Sequence, residues 1–254
     1  MIALLSPAKT LDETPVQGLA TTQVRMQDKS MLLIKKLRRM SVGSVQELMK
    51  ISEKLAILNA ARFKSYSESF TNDNAKAAIL MFKGDVYTGL EAGSFSKQEM
   101  AFAQDHIRIL SGLYGVLRPL DLIQPYRLEM GSKLKQGRNK NLYHFWGDTI
   151  TELINDDLAS TEGNTVINLA SKEYFSAVNQ DKLQGELINI HFKENRKGQL
   201  KVISFNAKKA RGKMAQLIVK ENITDAPLLK TLVADDYVFN PALSGNNDWL
   251  FVKE

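Results

Sequence analysis

A change of hydrophobic period near Thr165 constrains the fold of this 254-residue chain more than any other feature. Before it, apolar residues recur at three and four spacings over 26–40, over 44–64 with a break at Ser52, and over 71–82, the pattern of amphipathic helices. Ser96 and Glu99 have the spacing of a capping box, opening a helix that carries Phe102, Ala103, Ile107 and Leu110. After it, "VINLA" reads as a buried strand and "LINIHF" with "LKVISF" as a hairpin around "KENRKGQ". Short strands around "YVF" and "WLFV" follow. The apolar run "IALL" near the N-terminus stands alone and ends at Ser6-Pro7, so its natural partners are the strands of the second half. The expected fold is therefore α+β, a single mixed α/β domain over 1–254 with a central, mostly β region, surrounding helices and a basic cleft.

Composition narrows the function classes. The chain has no cysteine, which excludes disulfides, thiolate metal sites and a cysteine nucleophile and suits a reducing compartment. The N-terminal segment lacks a basic n-region, and no stretch approaches the roughly 18 apolar residues of a membrane span. A soluble cytoplasmic protein with no membrane partner is expected. Three histidines are too few for a His-rich metal site, and no cofactor motif is present.

The net charge of +6 is unevenly spread. Between Glu194 and Glu221 lie Arg196, Lys197, Lys201, Lys208, Lys209, Arg211, Lys213 and Lys220 without one carboxylate, and a second acid-free run carries Lys133, Lys135, Arg138 and Lys140. In "SFNAKKARGKMAQ" the cations crowd the start of a helix beginning near Ala207, where partial positive charge already accumulates. With Ala207, Ala210, Met214, Leu217 and Ile218 facing inward, Lys208 and Arg211 flank one side and Lys209 and Lys213 the other. The arrangement fits either a solvated basic face or an anion site.

Other segments offer chemistry. "FKGDVYTGL" and "FWGDTITEL" share F-x-G-D-x-x-T-x-L, in which Asp85 and Asp148 read as helix caps or as paired acids in one cleft. "SPAKT" places Lys9 just after the first strand, where α/β folds present ligand-binding residues, although the glycines of a P-loop are missing. "LSGLYGVLR" spaces Gly112 and Gly115 as in the hairpin of helix–hairpin–helix modules, where glycines admit a DNA phosphate to backbone amides. Helix capping by Gly112 is an equal alternative, and Pro119 truncates any second helix. "RPLDLIQPYRLEM" adds Arg118, Asp121, Arg127 and Glu129 between stiffening prolines.

Taken together, "LLSPAKTL", "FKGDVYTGL", "LSGLYGVLRPLDLIQPYRLEMG", "LYHFWGD", "VINLAS" and "ISFNAKKARG" resemble the YaaA family of bacterial peroxide stress-resistance proteins over essentially the whole chain. The resemblance implies a cytosolic mixed α and β fold, a basic cleft, duplex DNA as partner through a helix–hairpin–helix-like element, and a role in limiting damage when peroxide and iron meet. It brings no established reaction. Carried onto this sequence, it implies a hairpin at Ser111, Gly112, Leu113, Tyr114 and Gly115 with Arg118 beside it, and a basic segment at Lys208, Lys209, Arg211 and Lys213. The competing expectation is a DNA-lesion-processing enzyme, glycosylase- or lyase-like, drawing its catalytic groups from Lys9, Asp85, Asp121, Glu129 and Asp148.

Overall fold

The computed structural model describes residues 1–16 and 18–254. The chain opens with β1 (Ile2–Leu5) and a two-residue β2 (Thr10–Leu11), then α1 (Gln27–Leu37), α2 (Val42–Met49) and α3 (Glu53–Ser65). Next come β3 (Lys76–Ala77), α4 (Ala78–Met81), β4 (Phe82–Lys83), α5 (Asp85–Leu90), α6 (Lys97–His106), β5 (Ile107–Ser111), β6 (Gly115–Leu117) and β7 (Leu122–Ile123). The remainder contributes α7 (Leu142–Trp146), α8 (Thr149–Ala159), β8 (Thr165–Asn168), α9 (Lys172–Phe175), β9 (Glu186–Arg196), β10 (Gln199–Lys201), α10 (Ser204–Lys220), β11 (Val233–Ala234), β12 (Tyr237–Phe239) and β13 (Asp248–Lys253).

One large sheet organises these elements in the order β11-β12-β13-β9-β8-β1-β5-β6, with β10 paired to β9. Five neighbouring strands are parallel: β13, β9, β8, β1 and β5. Parallel strands covered on both faces read as continuous apolar runs, and every residue of β1 is buried. Ala3 sits opposite Ile107 on one side and Ile167 on the other, so the N-terminal strand joins the two halves of the chain as expected. Because β5 and β8 lie on opposite sides of β1, the strand order reverses there, and the crevice beyond the carboxyl ends of β1 and β8 is the place where such sheets take ligands.

Several local expectations are corrected. The Ser96–Glu99 capping box forms, with Glu99 N donating to Ser96 Oγ and Ser96 N to Glu99 Oε2. Its helix stops at His106, however, and Ile107 and Leu110 belong to β5, whose pairing with β1 outweighs helical spacing. Residues 71–82 form short pieces around α4 instead of one helix. The expected helix–hairpin–helix at Ser111–Gly115 is instead the buried turn between the antiparallel strands β5 and β6. A Cβ on Gly112 would overlap the Leu128 carbonyl oxygen, and Gly115, at φ 74°, lies against the Trp146 ring. Ser111 Oγ bonds Tyr126 OH at 2.5 Å, and Tyr66 OH donates to Tyr114 OH at 3.1 Å. These glycines thus serve close internal packing, and the turn is closed to a phosphate.

A tight two-helix hairpin does occur elsewhere. The sequence break at Ser52 separates α2 from α3 through Lys50–Ser52, with Lys50 left-handed at φ 51° and Ser52 Oγ capping α3 by accepting from Leu55 N.

The positions of α5 and α10 are set by two glycines. A Cβ on Gly89 would meet the Lys209 carbonyl, and one on Gly212 would overlap the Val86 carbonyl, so the two helices touch backbone to backbone. Gly212→Ala is expected to destabilise the protein by roughly 2 kcal/mol or more through overpacking. Thermal unfolding should show Tm lowered by about 4–8 °C; an unchanged Tm would mean that the crossing is loose.

Candidate functional site

The crevice at the sheet's reversal point holds a cavity of about 420 Å³. Its floor is Ser6–Thr10, the segment leaving β1, together with Ser171, Glu173 and Tyr174 beyond β8. The α5–α10 crossing supplies the other wall, bringing Lys83, Gly84 and Asp85 against Lys208 and Arg211. Lys208 and Arg211 face the cavity, whereas Lys209 Nζ donates to Asp235 Oδ1 at 2.8 Å and Lys213 Nζ to Gln216 Oε1 at 2.6 Å. The basic segment therefore divides along the two sides that helical geometry assigns it.

Arg211 differs from the other enclosed arginines. Arg108 reaches Asp157 at 2.5 Å, Arg25 holds the same carboxylate, and Arg127 holds Glu129 at 3.0 Å. Among the described residues, the Arg211 side chain has no hydrogen bond and no ion pair, and its Nε is buried without a partner. Burial lowers its guanidinium below the ordinary arginine value, but an arginine stays charged at neutral pH. Arg211 is only partly buried, so its enclosed Nε and its lack of a carboxylate partner leave a place that an anion would complete.

The crevice continues into a groove. A second cavity of about 610 Å³ shares Lys9 and Glu173 with the first and is lined further by Glu129, by Ser44, Glu47 and Lys50 of the α2–α3 hairpin and by Lys133. A third, of about 550 Å³, shares Met40, Ser44, Leu48 and Lys133 with the second and ends at Lys36, Arg39 and Lys135. Along these walls Lys9, Lys36, Arg39, Lys50, Lys83, Lys133, Lys135, Lys208 and Arg211 face only Glu47, Asp85, Glu129 and Glu173. Both acid-free runs of the sequence thus contribute to one groove.

The five residues proposed for catalysis divide. Lys9 Nζ lies 3.0 Å from Glu129 Oε1, and Asp85 Oδ2 lies 3.5 Å from Lys208 Nζ in the first cavity. Burial pushes the Glu129 carboxyl up, but hydrogen bonds and charge from Lys9 and Arg127 outweigh it and hold the group below the usual carboxylate range. Asp121 is fully buried, accepting from Thr22 and Arg118, which makes it a packing anchor away from the groove. Asp148 stands before α8 and accepts from Lys182 and Asn179, so it does not join Asp85. Neither aspartate caps its helix through its side chain. Arg118 is held by Asp121 and the Gln23 carbonyl. Among the described residues no three His, Asp or Glu side chains gather as a metal site, and no helix is long and apolar enough to cross a membrane.

Lys36 and Arg39 belong to a cationic run, Lys35-Lys36-Leu37-Arg38-Arg39, that reads as the end of an ordinary amphipathic helix, while Lys50 and Lys83 are single cations between apolar or glycine neighbours; no local signal ties any of them to the other basic runs.

The charge pattern generates a stability test. Arg211→Met is expected to leave Tm unchanged or raise it slightly, since it removes a partly buried charge that has no ion-pair partner. Arg108→Met should cost roughly 2–3 kcal/mol, because Asp157 loses one of its two buried partners. Equal losses in thermal unfolding would show that Arg211 has a structural partner.

Known proteins resemble this chain along its whole length. The family model described as peroxide stress protein YaaA matches residues 1–243. A UPF0246 protein of Cellvibrio japonicus (strain Ueda107) is 51% identical over 255 aligned residues, covering 100% of this chain and 99% of that protein. Another, of Saccharophagus degradans (strain 2-40 / ATCC 43961 / DSM 17024), is 49% identical with 100% of both chains covered. On a family match that spans nearly the whole chain, including the crevice and both basic runs, the chain belongs to the peroxide stress protein YaaA family.

Proposed function

We propose that this protein acts in the peroxide response by binding duplex DNA through its backbone phosphates along the basic groove, with Arg211 as the anchor, and so limits iron- and peroxide-dependent damage. The observation that carries this reading is the meeting of both acid-free runs in one groove that ends at an unneutralised arginine. Lysines spread along a groove neutralise a linear polyanion, and contacts of this kind position a protein without reading base sequence. The exposed connection between α2 and α3 adds Lys50 at the edge of the second cavity. Lys209 and Lys213, held by Asp235 and Gln216, contribute less than Lys208 and Arg211.

A lesion-processing enzyme is the second reading, supported by Lys9, Glu129 and Asp85 gathering near the same cations. An ammonium held against a carboxylate is a poor nucleophile, so DNA binding is the stronger reading. Borohydride treatment with an abasic-site duplex distinguishes the two. The binding reading predicts no covalent adduct, while a reduced imine lost in Lys9→Met would establish the enzyme.

Duplex affinity across a salt series tests the binding reading. The parent should show a steep salt dependence, and Lys208→Ala with Arg211→Met should flatten the slope by about 1 per lost phosphate contact. Lys209→Ala with Lys213→Ala should stay near the parent slope. A salt-insensitive parent, or two double variants with equal losses, would contradict the assignment.

A further inference from the structure

Three large apolar side chains stand exposed within six residues at the junction of β10 and α10: Leu200 at 38%, Val202 at 60% and Phe205 at 59%. Burying them would gain free energy, yet nothing in the chain covers them. The junction is fixed in place: Asn206 Nδ2 donates to Glu194 Oε1 at 2.6 Å, Tyr237 OH donates to the same oxygen at 2.9 Å, and Arg196 Nε donates to Glu194 Oε2 at 2.8 Å. Glu194 is therefore buried and consumed internally, and Glu254 Oε2 accepts from Asn195, the residue paired with Leu200, at 2.7 Å. Around the patch, Lys197 and Lys201 are exposed, and Lys208, one helical turn beyond Phe205, lines the first cavity of the groove.

An exposed aromatic ring in a sequence run rich in exposed lysines has the composition of a platform for single-stranded nucleic acid, in which cations follow the backbone and the ring stacks a base. We propose that Phe205, flanked by Leu200 and Val202, is a stacking site for an unpaired nucleobase at the mouth of the groove. This inference rests on the DNA-binding reading and specifies the form of DNA: strands with unpaired bases gain a contact that an intact duplex cannot offer. The charge around the patch selects this occupant, since a phosphodiester chain entering toward Lys208 and Arg211 carries its bases past Phe205.

The test compares the full-length parent, Phe205→Leu and Phe205→Tyr on a mixed-sequence 12-nucleotide single strand and on the blunt duplex of the same sequence. The leucine keeps an apolar surface without a ring; the tyrosine keeps the ring. Phe205→Leu should lose on the order of tenfold in affinity for the single strand and stay within about twofold on the duplex, whereas Phe205→Tyr should bind both like the parent. Equal or absent losses on the two DNAs would overturn stacking while leaving duplex binding by the groove intact. Failure of the parent to bind either DNA at low salt would overturn both readings together. If Phe205→Leu instead impairs only binding to phosphatidylglycerol vesicles, the patch faces a lipid surface and the inference fails.

Discussion

The backbone contact between α5 and α10 is the constraint on which the site depends. Two glycines, Gly89 and Gly212, let the helices meet at a separation that no side chain would allow. That contact places the start of α10 beside Gly84 and Asp85, and both beside the segment leaving β1. The parallel sheet supplies the crevice, since β5 and β8 run on opposite sides of β1 and open its carboxyl end. Neither feature alone makes a site. Together they hold Lys9, from the segment leaving β1, and Lys208 and Arg211, one turn apart on α10, around one space.

The distribution of counter-charge gives that space its character. Arg25, Arg108 and Arg127 are each matched with a carboxylate, and Lys209 and Lys253 take up Asp235 and Asp236 from the acidic C-terminal portion. In the groove Lys9 meets Glu129 and Lys208 meets Asp85, whereas the partly buried Arg211 has no carboxylate partner among the described residues.

The sequence discloses much of the fold and less of the site, for physical reasons. The Ser96–Glu99 capping box was legible because its hydrogen bonds span three residues. The burial of "IALL" was legible because a fully apolar strand has few ways to be covered. Ile107–Leu110 misled because their spacing suits a helix as well as a strand, and the partner that decides, β1, lies a hundred residues away. Gly112 and Gly115 misled because freedom from a Cβ serves a phosphate and a packed backbone equally, and here the Leu128 segment and Trp146 occupy the space. Asp85 and Asp148 share one motif, yet Lys208 and Lys182 give them unrelated surroundings. The cations of α10 were visible at once, but their partners were not: Asp85 lies 3.5 Å from Lys208, and Asp235 and Gln216 hold Lys209 and Lys213.

The proposed function makes the groove the surface that engages duplex DNA. Hydrogen–deuterium exchange with and without a short duplex addresses it directly, because backbone protection reports the surface without altering any side chain. The account predicts slower exchange over residues 6–10, 83–86, 131–136 and 203–209, with the β11–β12 edge unaffected. Protection centred on β11–β12, or none at all in a sample that binds the duplex, would contradict it.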